Sequence, residues 1–260
     1  MALLLNGDCL ELMKEIDDDS VDLIFCDLPY ATKTYSAVSC KWNTPVDLEE
    51  FWKQVMRIKK LHTPIFFTTT TKFGVDLITS APKKCHFRYD IVWVKSSPAG
   101  FLSAKKMPMR KHEMIYVFYE KLPFYDLSSH KHKFIKEEVK QVSVVKPEMR
   151  PSENYQNNST MYGNIDRPDF KRKNNESMYQ PPLPTTMLEI KSTKGKHPTE
   201  KPVALMEWIL KYYSKEGDVV LDPTMGSGST GVACKNMNRN FIGIEMNEEI
   251  YDSAVKRLES

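Results

Sequence analysis

No stretch of this sequence stays apolar for long enough to cross a bilayer. The longest near-continuous runs, such as Val21 to Cys26 and Pro64 to Phe67, fall far short of the roughly 20 residues required. A basic lead is also missing at the N-terminus, where Met1-Ala2-Leu3-Leu4-Leu5-Asn6 reaches Asp8 almost at once, so no secretory signal is expected. Cysteine is scarce and scattered. The five residues Cys9, Cys26, Cys40, Cys85 and Cys234 form no C-x-x-C pair and are odd in number. That argues against a disulfide framework and a structural metal site, and for reduced thiols in a cytoplasmic protein. No large excess of one charge exists either: 37 Lys and Arg face 34 Asp and Glu, a formal +3.

What is present is ordinary for a globular chain. Apolar residues at 41% and charged residues at 27% exclude a wholly disordered protein, and 260 residues suit one large domain or one domain with an insertion. The small net charge conceals an uneven spread. Residues 101–200 carry 18 basic and 12 acidic side chains, a net +6, whereas the rest carry 19 and 22, a net −3. Such a local excess suits a phosphate-facing surface or a plain solvated face.

The first 120 residues alternate between strand and helix patterns. Leu3 to Asn6 reads as a short strand and Cys9 to Ile16 as a helix. Val21 to Cys26 has the pattern of a strand buried on both faces, and Ala31 to Val46 that of a loop. Asp47 to Lys60 reads as a helix capped by Asp47, with Phe51, Val55 and Ile58 facing inward. Ile65 to Thr70, Tyr89 to Val94 and Met114 to Tyr119 are further strand candidates. This is the rhythm of a parallel sheet wrapped by helices. From Lys121 to about Lys196 the composition shifts to Lys, Asn, Ser and Pro with interleaved aromatics. A structureless loop of that length is unusual inside a domain, so an inserted module is expected.

The α/β rhythm then resumes. A helix opens at Pro202, Asp218 to Asp222 reads as a strand, and Gly228 to Asn236 as a helix. Phe241 to Glu245 is again a strand, and Asn247 to Leu258 a final helix. That last helix has no strand after it, while the chain begins with a strand that no helix precedes. A circularly permuted sheet, in which the last helix packs beside the first strand, joins the two loose ends.

Two turns carry chemistry. Val219-Val220-Leu221-Asp222 runs into a turn whose Gly226, Gly228 and Gly231 spell G-x-G-x-x-G, with Glu245 closing the next strand 23 residues beyond Asp222. Glycine lets a ligand approach the backbone, and a spaced acid suits ribose hydroxyls. A dinucleotide enzyme carries this turn early; here it is late and an acid precedes it. Asp222 suits a ligand bearing an ammonium better than a pyrophosphate, and S-adenosylmethionine is such a ligand. The second turn is Asp27-Leu28-Pro29-Tyr30, directly after the buried strand. Asp27 and the carbonyl beside Pro29 supply two acceptors for an exocyclic amine, and Tyr30 a face on which a base can stack.

In combination these residues resemble the beta-class amino-methyltransferases of DNA. The matching stretches are Asn6-Gly7-Asp8-Cys9, Asp22-Leu23-Ile24, Asp27-Leu28-Pro29-Tyr30, His197-Pro198-Thr199-Glu200-Lys201-Pro202, Asp222 to Thr230, and Phe241-Ile242-Gly243-Ile244-Glu245. Val92 to Lys95 and His112 to Ile115 match weaker family patterns. Leu28 stands where the family commonly has proline, Ala31 where it has glycine and Thr224 where it has phenylalanine. An aspartate start to the catalytic turn is similar to adenine-type members.

The resemblance implies a Rossmann-like methyltransferase sheet made of residues 1–120 and 196–260, with a target-recognition insertion at 121–195. It implies N6 methylation of adenine in double-stranded DNA, with the base flipped out of the duplex. A cognate restriction endonuclease, dimerisation, and a prokaryotic or phage cytoplasm follow from it as well. Asp27, Pro29 and Tyr30 are the expected catalytic residues. Asp8, Cys9, Asp27, His197, Thr199, Lys201, Asp222, Thr224, Gly226, Gly228, Ser229, Thr230 and Glu245 are expected around the cofactor, although Asp8 also suits a helix N-cap. Lys33, Lys41, Lys105, Lys106, Arg110 and Lys111 are expected to face DNA. Rival functions are N4 methylation of cytosine, a catalytically silent nucleic-acid-binding subunit on the same fold and, more remotely, a dehydrogenase.

Overall fold

A computed structural model describes residues 1–29, 46–130, 183–192 and 200–259. Tyr30, Lys33, Lys41, His197 and Thr199 lie outside them. The elements below belong to one compact unit, residues 1–129 with 185–260.

Strands β1 (Ala2–Asn6), β2 (Leu23–Cys26), β3 (Ile65–Thr69), β4 (Phe87–Ala99), β5 (Arg110–Phe118), β6 (Met187–Glu189), β7 (Val219–Asp222) and β8 (Asn240–Glu245) form one sheet. Its order is β1-β8-β7-β2-β3-β5-β4-β6. Every neighbouring pair is parallel except the two made by β5. The all-parallel rhythm expected from sequence therefore fails at one strand. β4 and β5 form a long antiparallel hairpin, joined through a 3-10 turn at Phe101–Ser103 and not through an α-helix.

Helices cover both faces. α1 (Cys9–Leu12), α2 (Leu48–Ile58) and α3 (Thr71–Ser80) pack on one side, and α4 (Val203–Tyr213), α5 (Ser229–Asn236) and α6 (Glu248–Glu259) on the other. The buried strands show the alternation that places successive side chains on opposite faces. Leu23 and Phe25 join the core under α4 to α6, whereas Ile24 and Cys26 join the core under α1 to α3. Phe66 likewise faces the first group, and Ile65 and Phe67 the second. Among the described helices, none is long and apolar enough to cross a membrane.

The permutation is visible in the pairing. β1 lies parallel to β8, and Met1 is tied to that strand: its ammonium donates to Asn240 Oδ1 at 3.0 Å, and its carbonyl accepts from Phe241 N at 2.9 Å. α6, the helix after β8, packs on β1, with the Tyr251 hydroxyl donating to Leu4 O at 3.2 Å. Counted from β7, the strands β7-α5-β8-α6-β1 follow the spatial order of the first half of a dinucleotide-type sheet, and β2 and β3 continue the second half. The chain simply starts at the third strand instead of the first.

Local signals explain most element ends. Asp47 caps α2 by accepting from Glu49 N at 2.9 Å, as its sequence position predicts. Asp8 caps α1 by accepting from Leu10 N at 2.7 Å. The helix expected over Cys9 to Ile16 is shorter, giving way to a 3-10 turn over Met13–Glu15. The sequence pattern does not announce α3. Its sequence TKFGVDLITS is rich in β-branched residues and carries a glycine at its centre. Gly74 is there because α3 presses on β5. A Cβ at this position would stand 2.3 Å from Cε2 of Tyr116. β6 lies within the 121–195 segment and continues the sheet beside β4, with Val92 N donating to Thr186 O at 2.7 Å.

Two outcomes follow from this packing. Replacing Gly74 by Ala should lower the melting temperature, although helix propensity alone would raise stability by roughly 1 kcal/mol. Overpacking against Tyr116 costs about 1–3 kcal/mol and wins. A thermal melt decides the sign. The described cysteines are free and buried, and burial pushes the Cys9 and Cys234 thiols up to about 12 and Cys85 up to about 11. Cys9, Cys85 and Cys234 should therefore react with thiol reagents far more slowly in the native state than in denaturant.

Candidate functional site

The sheet order reverses between β7 and β2. Helices leave these two strands in opposite directions, so a crevice opens beyond their carboxyl ends, where open α/β sheets place ligands. Asp222 ends β7 and Asp27 follows β2 at this point. Glu245 at the end of β8 and Asp8 after β1 extend the acidic edge outward.

Asp222 is buried at 2% exposure and is bonded entirely within its own turn. Its Oδ2 accepts from the Thr230 hydroxyl at 2.6 Å, and its Oδ1 from Thr224 N at 3.1 Å. The carboxyl thus ties the strand end to both arms of the glycine turn. Burial pushes its pKa up to about 7, with the negative charges of Asp27 and Glu245 adding to the rise and the two hydrogen bonds opposing it. Glu245 holds the same turn from the next strand. Its Oε2 accepts from Gly226 N at 3.1 Å and its Oε1 from Asn247 N at 2.8 Å.

A third restraint comes from the last helix, and sequence reasoning missed it. Arg257 of α6 donates to Ser227 O and Ser227 Oγ, both at 3.1 Å, to Ser229 Oγ at 3.4 Å, and pairs with Glu200 Oε1 at 2.9 Å. The glycine turn, the segment before α4 and the C-terminal helix are locked together by one guanidinium.

Within this frame the turn keeps an open face. Gly226 has φ +52°, and a Cβ built there meets nothing within 4 Å. Gly231, by contrast, is a packing position, since its Cβ would lie 2.7 Å from the ring of Phe241. The hydroxyl of Thr224 is buried without a hydrogen-bond partner among the described residues. A buried orphan hydroxyl beside an open glycine in an acid-lined crevice fits a cationic cofactor with hydroxyls of its own. Of the expected cofactor residues, Thr230 and Ser229 turn their hydroxyls to protein partners, Cys9 is buried, and Asp8 spends one oxygen on its cap.

Asp27 meets a network that the sequence hinted at only through weak family patterns. Its Oδ1 accepts from the Thr68 hydroxyl of β3, and its Oδ2 from Lys201 Nζ at 2.6 Å. Lys201 Nζ also lies 3.2 Å from Glu113 Oε1, and Glu113 Oε2 pairs with Lys95 at 2.5 Å. The Lys201, Glu113 and Asp27 side chains are 12%, 13% and 27% exposed. Burial by itself lowers the affinity of Lys201 for its proton, but Asp27 and Glu113 outweigh that and hold its pKa above the ordinary lysine value. Lys201, expected around the cofactor, thus has its ammonium on Asp27. A detectable signal existed: Lys95 and Glu113 are charged residues at the ends of apolar strand patterns, and the antiparallel hairpin aligns Trp93 with Glu113.

Trp93 is a core residue, 2% exposed, with Nε1 donating to Ile190 O at 2.9 Å. Lys105, Lys106, Arg110 and Lys111 lie together on the exposed end of the β4–β5 hairpin. Phe101, Leu102 and Met107 project beside them, with Leu102 fully exposed. No acidic residue occurs between Lys95 and Glu113.

Comparison with known proteins agrees with this layout. A family model described as DNA methylase matches residues 21–256. The type II methyltransferase M.HinfI of Haemophilus influenzae is 28% identical over 277 residues, spanning 98% of this chain and 67% of the relative. The DNA adenine methyltransferase YhdJ of Escherichia coli (strain K12) is 27% identical over 260 residues, spanning 98% of this chain and 82% of the relative. Among solved structures, the M1.HpyAVI–SAM complex superposes with a TM-score of 0.61 at 24% identity, covering 99% of this chain and all of that one, a likeness of fold.

The raised pKa of Asp222 sets a pH dependence. The folded-state value of about 7 lies above the ordinary 3.8, so the folded chain binds this proton more tightly. The stability it contributes is present below about pH 4 and is lost as pH rises through about 7. Replacing Asp222 by Asn removes the titration. The melting temperature of wild type minus that of Asp222→Asn should fall between about pH 4 and about pH 7. A constant difference would contradict burial as the dominant influence.

Proposed function

The chain belongs to the DNA methylase family, and we propose that it transfers a methyl group to the 6-amino group of adenine in DNA. S-adenosylmethionine is the donor and supplies, when bound, a methyl group activated by a positively charged sulfur. The observation that carries the reading is Asp27 at the strand-order reversal, next to a glycine turn with an acid-lined open face.

The chemistry assigned to this chain's residues starts from the weakness of the nucleophile. The lone pair of an aromatic amine is delocalised into its ring. Asp27 and the carbonyl beside Pro29 accept the two N–H groups, draw the nitrogen toward tetrahedral geometry and free the lone pair. The Asp27 carboxylate also stabilises the positive charge that develops on the nitrogen, a preorganised electrostatic contribution. Thr68 orients the carboxylate through its hydroxyl. Tyr30, by resemblance, stacks on the base. Gly226 and Thr224 are assigned to direct cofactor contact. Asp222, Glu245 and Arg257 are assigned to shaping the turn that holds it. The aspartate start of the Asp27-Leu28-Pro29-Tyr30 turn and a relative named as an adenine methyltransferase favour adenine over cytosine. Relatives named as type II methyltransferases favour a cognate restriction endonuclease as partner and a bacterial cytoplasm as setting.

The hairpin end is assigned to the DNA backbone. Four basic side chains without an intervening acid suit phosphates.

Replacing Asp27 by Ala should lower methyl transfer by about 10²-fold or more while leaving donor binding within a few-fold of wild type. Retained activity in that variant would overturn the assignment. The double variant Lys105→Glu, Lys106→Glu should weaken DNA binding and reduce the slope of log K against log salt by about 2, since each phosphate that a lysine neutralises adds about 0.9 to it. An unchanged slope would remove the hairpin from the interface.

A further inference from the structure

We propose that Lys201 holds the place of the target amine on Asp27 and steps over to Glu113 when the base enters. This rests on the reading of Asp27 as the amine acceptor and adds to it a positioning residue and a resting state. The ammonium of Lys201 lies 2.6 Å from Asp27 Oδ2, and the other oxygen is engaged by the Thr68 hydroxyl. A base amine arriving at Oδ2 meets a full positive charge on the same acceptor. Its own nitrogen then gains positive charge during transfer, so an ammonium left in place opposes the reaction that the carboxylate is meant to favour.

The escape route is already built. Glu113 Oε1 is 3.2 Å from the same Nζ, so a shift of about an ångström exchanges one carboxylate for the other. The ammonium is never left unpaired in a pocket where an isolated charge is costly. Lys95 on the opposite oxygen of Glu113, at 2.5 Å, fixes the receiving carboxylate. The chain Asp27, Lys201, Glu113, Lys95 alternates in sign and sums to zero. Asp27 is thus paired with the ammonium at rest and exchanges that hydrogen bond for one from the amine when the base enters. Glu113 acts through Lys201 and touches no reacting atom.

The test measures how much the amine contributes to binding. Duplexes carry either adenine or purine, which lacks the amine, at the methylated position, and no donor is added. The ratio of their dissociation constants is read for each protein. Lys201→Met should raise the preference for adenine at least threefold over wild type, because the ammonium no longer competes with the amine for Asp27. Glu113→Gln should lower the preference toward one, because Lys201 then stays on Asp27. The double variant should match Lys201→Met, since the proposal has Glu113 act on the amine through Lys201. Lys201→Arg, which keeps the charge and a grip on both carboxylates, should lower the preference and serves where Lys201→Met does not fold. An unchanged ratio in Glu113→Gln, or a double variant that falls well below Lys201→Met, would overturn the proposal. Methyl transfer to DNA by the wild-type protein is measured first. Its absence would overturn the underlying reading as well and is seen before any variant is compared.

Discussion

The reversal of strand order between β7 and β2 is the constraint on which the rest depends. Side by side, these strands send their connections to opposite faces of the sheet, which leaves a crevice at their carboxyl ends. Asp222 and Asp27 become neighbours across that opening although they are far apart in sequence, and the electrostatic rise in the pKa of Asp222 includes a contribution from Asp27. Asp8 and Glu245 follow because β1 and β8 extend the same edge. β1 takes the place of the third strand counted from β7, so the permutation leaves this opening unchanged.

Gathering carboxylates in a half-buried crevice is costly, and each is handled differently. Asp222 is buried deeply enough that its proton affinity rises, and its oxygens are occupied by its own turn. Glu245 is held by two backbone N–H groups. Asp27 is balanced by the Lys201 ammonium, which burial disfavours and its two carboxylate partners restore. Asp222 and Glu245 are therefore held by their own turn, while Asp27 is paired with a cation that also reaches Glu113.

Much of this was legible in the sequence because the signals were local. The apolar run ending in Asp27, the strand ending in Asp222 with its glycines, and the spacing to Glu245 each announce a strand followed by a functional turn. Asp47 as a cap and Phe51, Val55 and Ile58 as core follow from helical periodicity and are found so. The unpaired first strand and the leftover last helix disclosed the permutation. What escaped detection was set by contacts distant in sequence. α3 owes its helix to packing against β5, with Gly74 fitting under Tyr116, against its own propensities. The antiparallel turn of β5 cannot be read from a strand pattern, because one strand's periodicity carries no direction. Arg257 and Glu113 look like ordinary surface charges until the fold brings them to the turn and to Lys201.

The most direct measurement is chemical identification of the product. DNA is incubated with the protein and donor labelled in the transferred methyl group, digested to nucleosides, and the labelled species identified by mass. The account predicts label in N6-methyladenine and in no other nucleoside. Label in N4-methylcytosine would contradict the adenine assignment, and absence of label from DNA would contradict the reading of Asp27 as the acceptor of a target amine.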